Sequence, residues 1–173
     1  MNALIEPRST QELETILIEV NNSPHIGEIT LEEMETFIQK NTIRFYYENE
    51  QFMGFGAWVI INAAWIEVGP LYVAQAARSH GIGRQITEDV IMQNKALNLY
   101  AVTRNPPMKH IFMQQGFRAV SLFRLPFAVQ RFLISKIRLR KLLRFASKRS
   151  PESVSHLIKL ATAQTITSTS SQH

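Results

Sequence analysis

A short glycine-containing loop carries residue types that bind anions through the backbone. Residues 77–86 read ARSHGIGRQI and directly follow the apolar run at 71–73. The apolar run predicts a strand, and the loop predicts a turn into a helix. Because Gly81 and Gly83 are one residue apart, several N–H groups can point to one position, where the helix dipole adds positive charge. The sequence therefore predicts a phosphate-binding site at the start of this helix.

Two common phosphate-binding motifs do not fit these residues. A P-loop requires lysine and then serine or threonine after its last glycine, but Arg84 and Gln85 follow Gly83. A dinucleotide-binding loop requires a third small residue, where this chain has Ile86, and an acid about 20 residues further on. No acid occurs between positions 89 and 152. The sequence therefore excludes both kinds of nucleotide site.

The loop instead matches the pattern Arg/Gln-x-x-Gly-x-Gly/Ala. Arg78, Gly81 and Gly83 occupy the defined positions, and Val73 lies five residues before the arginine. With this pattern the chain resembles the GNAT superfamily of N-acyltransferases, in which such a loop binds coenzyme A.

A second motif of that superfamily follows at the right separation. Its members often carry Asn-x-x-Ala-x-x-x-Tyr-x-x-x-Gly-Phe on the next helix, and residues 105–117 read NPPMKHIFMQQGF. Asn105, Gly116 and Phe117 are in register, whereas Met108 stands at the alanine position and Phe112 at the tyrosine position. The resemblance extends over roughly residues 3–120 when the order of elements is included.

The resemblance implies an α+β fold, a three-layer α/β/α sandwich in which helices cover both faces of a mixed, mostly antiparallel sheet. Apolar spacing and capping residues predict the same order of elements. The expected elements are a strand at 4–5, helices after Ser9 or Thr10 and from Thr30 to about 39, strands at about 42–48, 52–61 and 65–73, a helix at about 81–96, a strand at 98–103 and a helix at about 106–115.

The resemblance also implies how acetyl-CoA, the expected cosubstrate, is bound. In the resembled fold the strand at 65–73 splays from the strand at 98–103, and the pantetheine arm pairs with backbone groups exposed by the splay. Gly69-Pro70 agrees with such a break, because proline cannot donate to a strand ladder. The expected cofactor-binding residues are Leu71, Tyr72, Val73, Arg78, Ser79, His80, Gly81, Ile82, Gly83, Arg84, Asn105 and Phe112. No metal is expected.

Glu67 is the predicted catalytic base. An alkylammonium must lose a proton before its nitrogen can attack a thioester. Strand alternation predicts that Glu67 shares a face with Trp65, Leu71 and Val73, and the resembled family commonly draws a base from this strand. Glu28 and His25 in the loop at 21–28 are the substitutes.

Tyr72 is the predicted catalytic acid. The resembled family often protonates the leaving thiolate with the tyrosine of its second motif, but Phe112 stands there and has no proton to give. Tyr72, His110 or water can take that role. Since the pKa of a thiol is near 8.5, thiolate is a tolerable leaving group.

Length and composition favour a single small enzyme domain. The chain has 173 residues, of which 45% are hydrophobic, enough for one substantial core. It has no cysteine, which excludes disulfides, thiolate metal sites and a cysteine nucleophile. The sequence shows neither a membrane span nor the pattern of a secretion signal at its start. We therefore expect the protein in the cytoplasm.

Charge is divided between the two halves of the chain. Residues 1–89 hold 13 of the 14 acids, whereas residues 90–173 hold 14 of the 19 lysines and arginines. Eight of these basic residues lie at 131–149, where charges recur at i, i+4 spacing opposite apolar positions and predict a basic amphipathic helix. This helix packs on the core or on a second copy in a homodimer, lies on an anionic membrane, or contacts nucleic acid or an acidic protein. Packing is the favoured interpretation.

The predicted domain boundaries follow from these segments. An acetyltransferase domain is expected at 1–124, a basic helical extension at 125–164 and a disordered tail at 165–173. Within the extension, Ser150-Pro151-Glu152 is typical of a helix start and predicts a last helix at about 151–163.

The leading hypothesis is an N-acetyltransferase that passes acetyl from acetyl-CoA to a primary amine by direct attack in a ternary complex. One alternative is a non-catalytic acyl-CoA-binding regulator, because the usual tyrosine is missing. The other is an acetyltransferase of RNA-bound or protein amines that is recruited through the basic helix.

Overall fold

The computed structural model describes residues 2–4, 6–23, 26–136 and 154–161. These residues form seven strands and five α-helices, with short 3₁₀ turns at Gln75–Ala77 and Leu122–Arg124. In chain order the elements are β1 (Asn2–Leu4), α1 (Thr10–Asn21), α2 (Leu31–Gln39), β2 (Ile43–Glu48), β3 (Gln51–Asn62), β4 (Trp65–Val73), α3 (Ile82–Gln93), β5 (Asn98–Thr103), α4 (Pro106–Gln114), β6 (Arg118–Val120), α5 (Phe127–Lys136) and β7 (Ser155–Lys159).

The helix starts are set by capping residues that the sequence makes visible. Ser9 accepts a hydrogen bond from the N–H of Glu12 at 3.1 Å, and α1 begins at the next residue. Thr30 and Glu33 form a reciprocal capping box at the start of α2. A cap of this kind is worth about 1 kcal/mol, which helps to fix where each helix begins.

The strands form one sheet in the order β1-β2-β3-β4-β5-β7-β6. Strands β4 and β5 run parallel, and every other neighbouring pair is antiparallel. The mixed, mostly antiparallel sheet expected from the resemblance is therefore confirmed.

Helices cover both faces of this sheet. On one face the Tyr72 hydroxyl reaches Glu19 of α1, and Val129 of α5 packs against Trp65 and Tyr100. We call this the α1/α5 face. On the other, the α3/α4 face, Val90 and Phe112 pack against apolar residues of β3, β4, β5 and β7. The three-layer α/β/α arrangement is thus confirmed.

Two glycines of β3 bring α3 close to the sheet. A Cβ atom at Gly56 would lie 2.7 Å from Cγ2 of both Ile86 and Val90, and one at Gly54 would lie 2.9 Å from Cδ1 of Ile86. Any larger side chain would push α3 outward. Glycine at these positions therefore sets the distance between the helix and the strands.

The helix predicted at about 151–163 is wrong where the structure describes it. Ser155–Lys159 is strand β7, which lies between β5 and β6. Leu157 packs into the core on the α3/α4 face, and Ile158 packs beside α5 on the other. A short apolar run buried on both faces has no alternating pattern, so its sequence does not distinguish a strand from a helix.

Other parts of the predicted C-terminal organisation lie outside the described residues. The basic helix expected at 131–149 is described only to Lys136, at the end of α5. The tail at 165–173 is not among the described residues. Within the described part of the chain, no helix has the length and apolar character needed to cross a membrane.

Candidate functional site

Strands β4 and β5 separate partway along their length. The first paired residues are Trp65 and Asn98, and the last are Val68 and Ala101. On its other edge β5 pairs with β7 from Leu99 to Thr103, while residues 71–73 of β4 pair only with β3 among the described strands. One edge of β4 therefore opens as a cleft that begins beside Val68. This is the splay that the resemblance implied.

A bulge in β4 lies where the cleft begins. Gly56 of β3 faces Leu71, and Trp58 faces Val68, so Gly69 and Pro70 together oppose a single residue of β3. The Gly69-Pro70 peptide is cis, and Gly69 has φ 128°. An extra residue in one strand reverses the alternation of side chains on either side of it.

The bulge corrects one expectation about Glu67. Its side chain lies on the α1/α5 face, where Trp65 also lies, whereas Leu71 and Val73 lie on the α3/α4 face. The prediction that Glu67 shares a face with Leu71 and Val73 is therefore wrong. Tyr72 takes their place and lies on the same face as Glu67.

The Glu67 carboxylate is buried and paired. Glu67 is 6% exposed, and its Oε2 accepts a hydrogen bond from Nζ of Lys136, the last residue of α5. In the sheet it is flanked by Val59 of β3 and Tyr100 of β5. Burial, with the nearby Glu67 charge, raises the pKa of the Tyr100 hydroxyl, which lies 2.8 Å from Nδ1 of His156. The buried carboxyl group of Glu67 therefore lies at the beginning of the cleft and is bonded to the Lys136 side chain.

Tyr72 is engaged with α1. Its hydroxyl donates to Oε1 of Glu19 at 2.8 Å, and the same oxygen accepts from the N–H of Gln75 at 3.1 Å. Burial and the Glu19 carboxylate raise the pKa of Tyr72 to about 12. The phenol therefore stays protonated at neutral pH, with its proton directed to Glu19. Its role as catalytic acid stays a prediction.

The glycine loop lies at the open end of the cleft. Ser79 and Gly81 adopt left-handed conformations, with φ 68° and 76°, and α3 begins at Ile82. Space around Gly81 is open, since a Cβ there would meet no atom within 4 Å. The first N–H groups of a helix lack intrahelical acceptors. The loop therefore presents backbone donors and the positive end of α3 beside β4, as the sequence predicted.

Side chains in and beside the loop differ in their hydrogen bonds and in their exposure to solvent. Arg78 donates from Nε to the Val73 carbonyl at 3.3 Å, which ties the loop to the end of β4. Arg84 pairs with Glu88 at 2.8 Å on the exposed side of α3, and His80 is exposed. Ile82 is buried, and a Cβ at Gly83 would lie 3.3 Å from Cγ2 of Val73. Glycine at this position allows the start of α3 to approach β4.

The two predicted cofactor residues of α4 have structural contacts. Asn105 caps α4, with its side chain directed to the N–H of Met108. Phe112 is 3% exposed, and its ring centroid lies 4.9 Å from that of Phe117. Little of the Phe112 ring is left for a ligand. Their contact with coenzyme A stays a prediction.

The alternative acid–base residues lie elsewhere. Glu28 is in the exposed loop before α2, and His110 is exposed on α4 beside Gln114. His25 lies outside the described residues. Among the residues that the structure describes, no group of three or more His, Cys, Asp or Glu side chains is placed to hold a metal ion.

Sequence reasoning missed the partners of both predicted catalytic residues. Lys136 belongs to the basic segment at 131–149, and no sequence pattern singles out Glu19. They lie 69 and 53 residues from Glu67 and Tyr72 in sequence. No local pattern connects residues so far apart, and only the packing of α5 and α1 on one sheet face brings them together.

Comparisons with known proteins agree with this geometry. Residues 7–124 match the family described as "Acetyltransferase (GNAT) domain". A search of curated proteins finds no match.

Solved structures show the same fold at low identity. An N-acetylglutamate synthase from Neisseria gonorrhoeae, complexed with coenzyme A and N-acetyl-glutamate, has 14% identity and a TM-score of 0.68, covering 93% of this chain and 35% of that one. A Mycobacterium tuberculosis protein complexed with CoA and NLQ has 15% identity and a TM-score of 0.69, covering 94% and 99%. A ribosomal-protein-alanine N-acetyltransferase from Brucella melitensis has 16% identity and a TM-score of 0.60, covering 92% and 99%.

The chain spans about a third of the length of the Neisseria synthase but nearly all of the other two proteins. The family match confirms the acyltransferase class and acetyl-CoA as the cosubstrate expected from the loop. Since this one family matches more than half of the residues, and the sheet has the splay expected of it, the chain belongs to the GNAT acetyltransferase family.

Proposed function

We propose that this protein is an N-acetyltransferase that passes acetyl from acetyl-CoA directly to a primary amine. The observation that carries the proposal is the cleft between β4 and β5, which has a glycine loop at its open end and a buried acid where it begins. A donor held by the loop would place its thioester beside that acid.

The donor lies along β4 in this proposal. Its pyrophosphate binds the N–H groups of residues 79–83 and the positive end of α3. The N–H of Arg84, which the sequence also suggested, already donates to the Gly81 carbonyl at 3.1 Å. From there the pantetheine arm follows residues 73 to 69, whose free edge supplies N–H and C=O partners for its amides. This direction brings the thioester to the bulge at Gly69-Pro70.

Glu67 is the proposed base. It takes a proton from the bound alkylammonium, and the freed nitrogen attacks the thioester carbon to form the C–N bond. A backbone N–H of β4 near the bulge stabilises the oxyanion. The nitrogen then gives its second proton to solvent, and collapse of the intermediate breaks the C–S bond. Glu67 and the attacking amine then lie on the α1/α5 face, opposite α3 and α4.

The leaving thiolate needs one proton, and Tyr72 is the proposed donor. It lies on the same face as Glu67, and a pKa of about 12 keeps it protonated at neutral pH. Donation requires the hydroxyl to turn from Glu19, to which it is bonded at 2.8 Å. Because thiolate is a tolerable leaving group, proton transfer from water also completes the reaction.

The acceptor is proposed only as a primary amine. Two similar structures are named for amino-group acceptors, an N-acetylglutamate synthase and a ribosomal-protein-alanine N-acetyltransferase. Both agree with acetylation of an amino group, and their identities of 14% and 16% support no narrower choice. A cytoplasmic location and a homodimer stay predictions.

Donor binding is tested by thermal unfolding with matched glycine variants. Gly81 and Gly116 both have left-handed φ, 76° and 84°. Valine at either position introduces strain of about 1–3 kcal/mol, so both variants should unfold at a lower temperature. Acetyl-CoA at about 100 times its Kd should stabilise the unchanged protein by about 2.7 kcal/mol, or about 5–10 °C in Tm.

Only Gly81→Val should lose this stabilisation, because Gly116 follows the C-terminal end of α4 and is not part of the loop at the start of α3. If acetyl-CoA does not stabilise the unchanged protein, or stabilises both variants equally, donor binding at this loop is refuted.

A second candidate function is a non-catalytic acetyl-CoA-binding regulator. The observations that favour it are the lysine already bonded to Glu67 and the buried phenylalanine at the family's tyrosine position. Stabilisation by acetyl-CoA without acetylation of any primary amine in a broad panel would favour this function over the enzyme.

A further inference from the structure

The ammonium of Lys136 occupies a position where a substrate amine would be activated. Its Nζ donates to Oε2 of Glu67. The Glu67 side chain is 8% exposed, whereas the Lys136 side chain is 41% exposed. The lysine therefore reaches inward from a half-exposed stem to a buried carboxylate.

A second contact fixes the ammonium in place. Nζ of Lys136 lies 4.5 Å from the ring centroid of Phe132, one turn earlier on α5. A cation over an aromatic ring is stabilised by the ring quadrupole. The ion pair between Arg84 and Glu88 on α3 joins side chains that are 56% and 41% exposed, so its geometry is less constrained. Lys136 is thus held from two sides at the beginning of the cleft.

The course of the donor brings its acetyl group to the same place. The glycine loop lies after the end of β4 at Val73, and the cleft begins beside Val68, next in sequence to Glu67. Five residues of strand span roughly 16 Å. If the pantetheine arm covers that distance from the loop, the thioester lies beside the Glu67 carboxylate, to which Lys136 is bonded.

We infer, on the basis of the proposed function, that the domain acetylates its own Lys136. Glu67 takes one proton from the Lys136 ammonium, and the neutral Nζ attacks the thioester carbon of bound acetyl-CoA. The C–N bond forms, the nitrogen gives its second proton to solvent, and the C–S bond breaks. The thiolate then leaves and takes a proton from solvent. The products are Nε-acetyl-Lys136 and free coenzyme A.

The reaction changes the acceptor side of the site. An acetylated Lys136 is neutral and no longer forms an ion pair with Glu67. The buried carboxylate then lacks a cation, and an uncompensated buried charge is costly. An incoming alkylammonium supplies that cation, so self-acetylation removes a resident competitor for the substrate amine.

A purely structural ion pair is the competing explanation. In that case Lys136 only fastens α5 to the sheet, and it reacts with acetyl-CoA no faster than solvent-exposed lysines. Lys40, Lys95 and Lys109 are exposed and provide that background within the same molecule.

The experiment uses the full chain incubated with isotopically labelled acetyl-CoA, followed by peptide mapping at each lysine. We expect acetylation of Lys136 well above Lys40, Lys95 and Lys109, at a rate independent of protein concentration because the transfer is intramolecular. Loss of a general base should slow it by about 10²-fold or more in Glu67→Gln. Lys136→Arg should carry no label at 136.

Gly81→Val provides a second test that leaves Glu67 and α5 intact. It should abolish labelling of Lys136 while the three background lysines keep theirs. Labelling of Lys136 at the background rate, or labelling unaffected by both variants, would overturn the inference. If the unchanged protein acetylates small amines but not Lys136, the inference fails while the proposed function stands. If it neither binds acetyl-CoA nor releases coenzyme A, the proposed function itself fails.

Discussion

At the scale of single residues, the chemistry depends on which partner holds each polar group. Glu67 is bonded to Lys136, and Tyr72 is bonded to Glu19. Residue type, strand position and the family resemblance predicted catalytic roles for Glu67 and Tyr72, and those roles stay predictions. Their partners come from α5 and α1, so neither was predictable from a local pattern. The same limit applies to Phe112, whose motif position suggested a ligand contact but whose ring is buried against Phe117.

The Tyr72–Glu19 hydrogen bond gives a prediction about stability. Tyr72→Phe removes a hydrogen bond to a charged acceptor, so the free energy of unfolding at neutral pH should fall by about 1.5–3 kcal/mol. Because the folded-state pKa is raised from 10.0 to about 12, this contribution is complete below pH 10. It is lost as pH rises from 10 to about 12, since the unfolded chain ionises first.

Urea unfolding of the two proteins across this pH range measures the effect. The difference between them should be constant below pH 10 and should shrink toward pH 12. Glu19→Gln is the control, because it keeps an acceptor but removes the charge. A difference that does not change with pH would contradict the assignment of the raised pKa to Tyr72.

At the scale of elements, the site depends on two irregularities in otherwise regular strands. The bulge at Gly69-Pro70 reverses which side chains of β4 face α1 and α5, and it lies where β4 leaves β5. The dipeptide indicated a break in pairing, but a break and a bulge have the same sequence signal. The face of Glu67 relative to Leu71 was therefore predicted wrongly. Strand β7 was predicted as a helix because its short apolar run has no pattern typical of a strand. Its position between β5 and β6 can be recognised only in the folded sheet.

The close approach of α3 to β3 gives the prediction at this scale. Gly56→Ala places a Cβ 2.7 Å from Cγ2 of Ile86 and Val90, so α3 must move outward. Overpacking of this kind should lower the free energy of unfolding by about 1–3 kcal/mol. Since α3 carries the glycine loop, the Kd for acetyl-CoA should also rise. Denaturant unfolding and calorimetric titration measure the two effects.

Gly27→Ala is the matched control, because a Cβ at Gly27 would meet no atom within 4 Å. It should change the free energy of unfolding by no more than about 0.5 kcal/mol and should leave acetyl-CoA binding unchanged. Equal effects from the two substitutions would mean that the approach of α3 does not control the loop.

At the scale of the whole molecule, one sheet separates the helices beside the proposed donor site from those beside the proposed acceptor site. The loop, α3 and α4 belong to the part where the donor is proposed to bind, and α1 and α5 cover the face that carries Glu67 and Tyr72. The family, the order of elements to α4 and the position of the loop were predictable, because two motifs and clear capping residues mark them. The contact between α5 and Glu67 was not predictable, because the sequence of residues 131–149 indicates only a basic amphipathic segment.

The central claim is that Glu67 acts as the base in acetyl transfer to an amine. The most direct test measures release of free thiol from acetyl-CoA over a broad panel of primary amines, for the unchanged protein and for Glu67→Gln. Glu48→Gln, at an exposed acid ending β2, is the control. Removing a general base should lower the rate by about 10²–10⁴-fold, with stabilisation by acetyl-CoA retained and the control unaffected. Amine-dependent thiol release that is equal in the unchanged protein and Glu67→Gln would contradict the account.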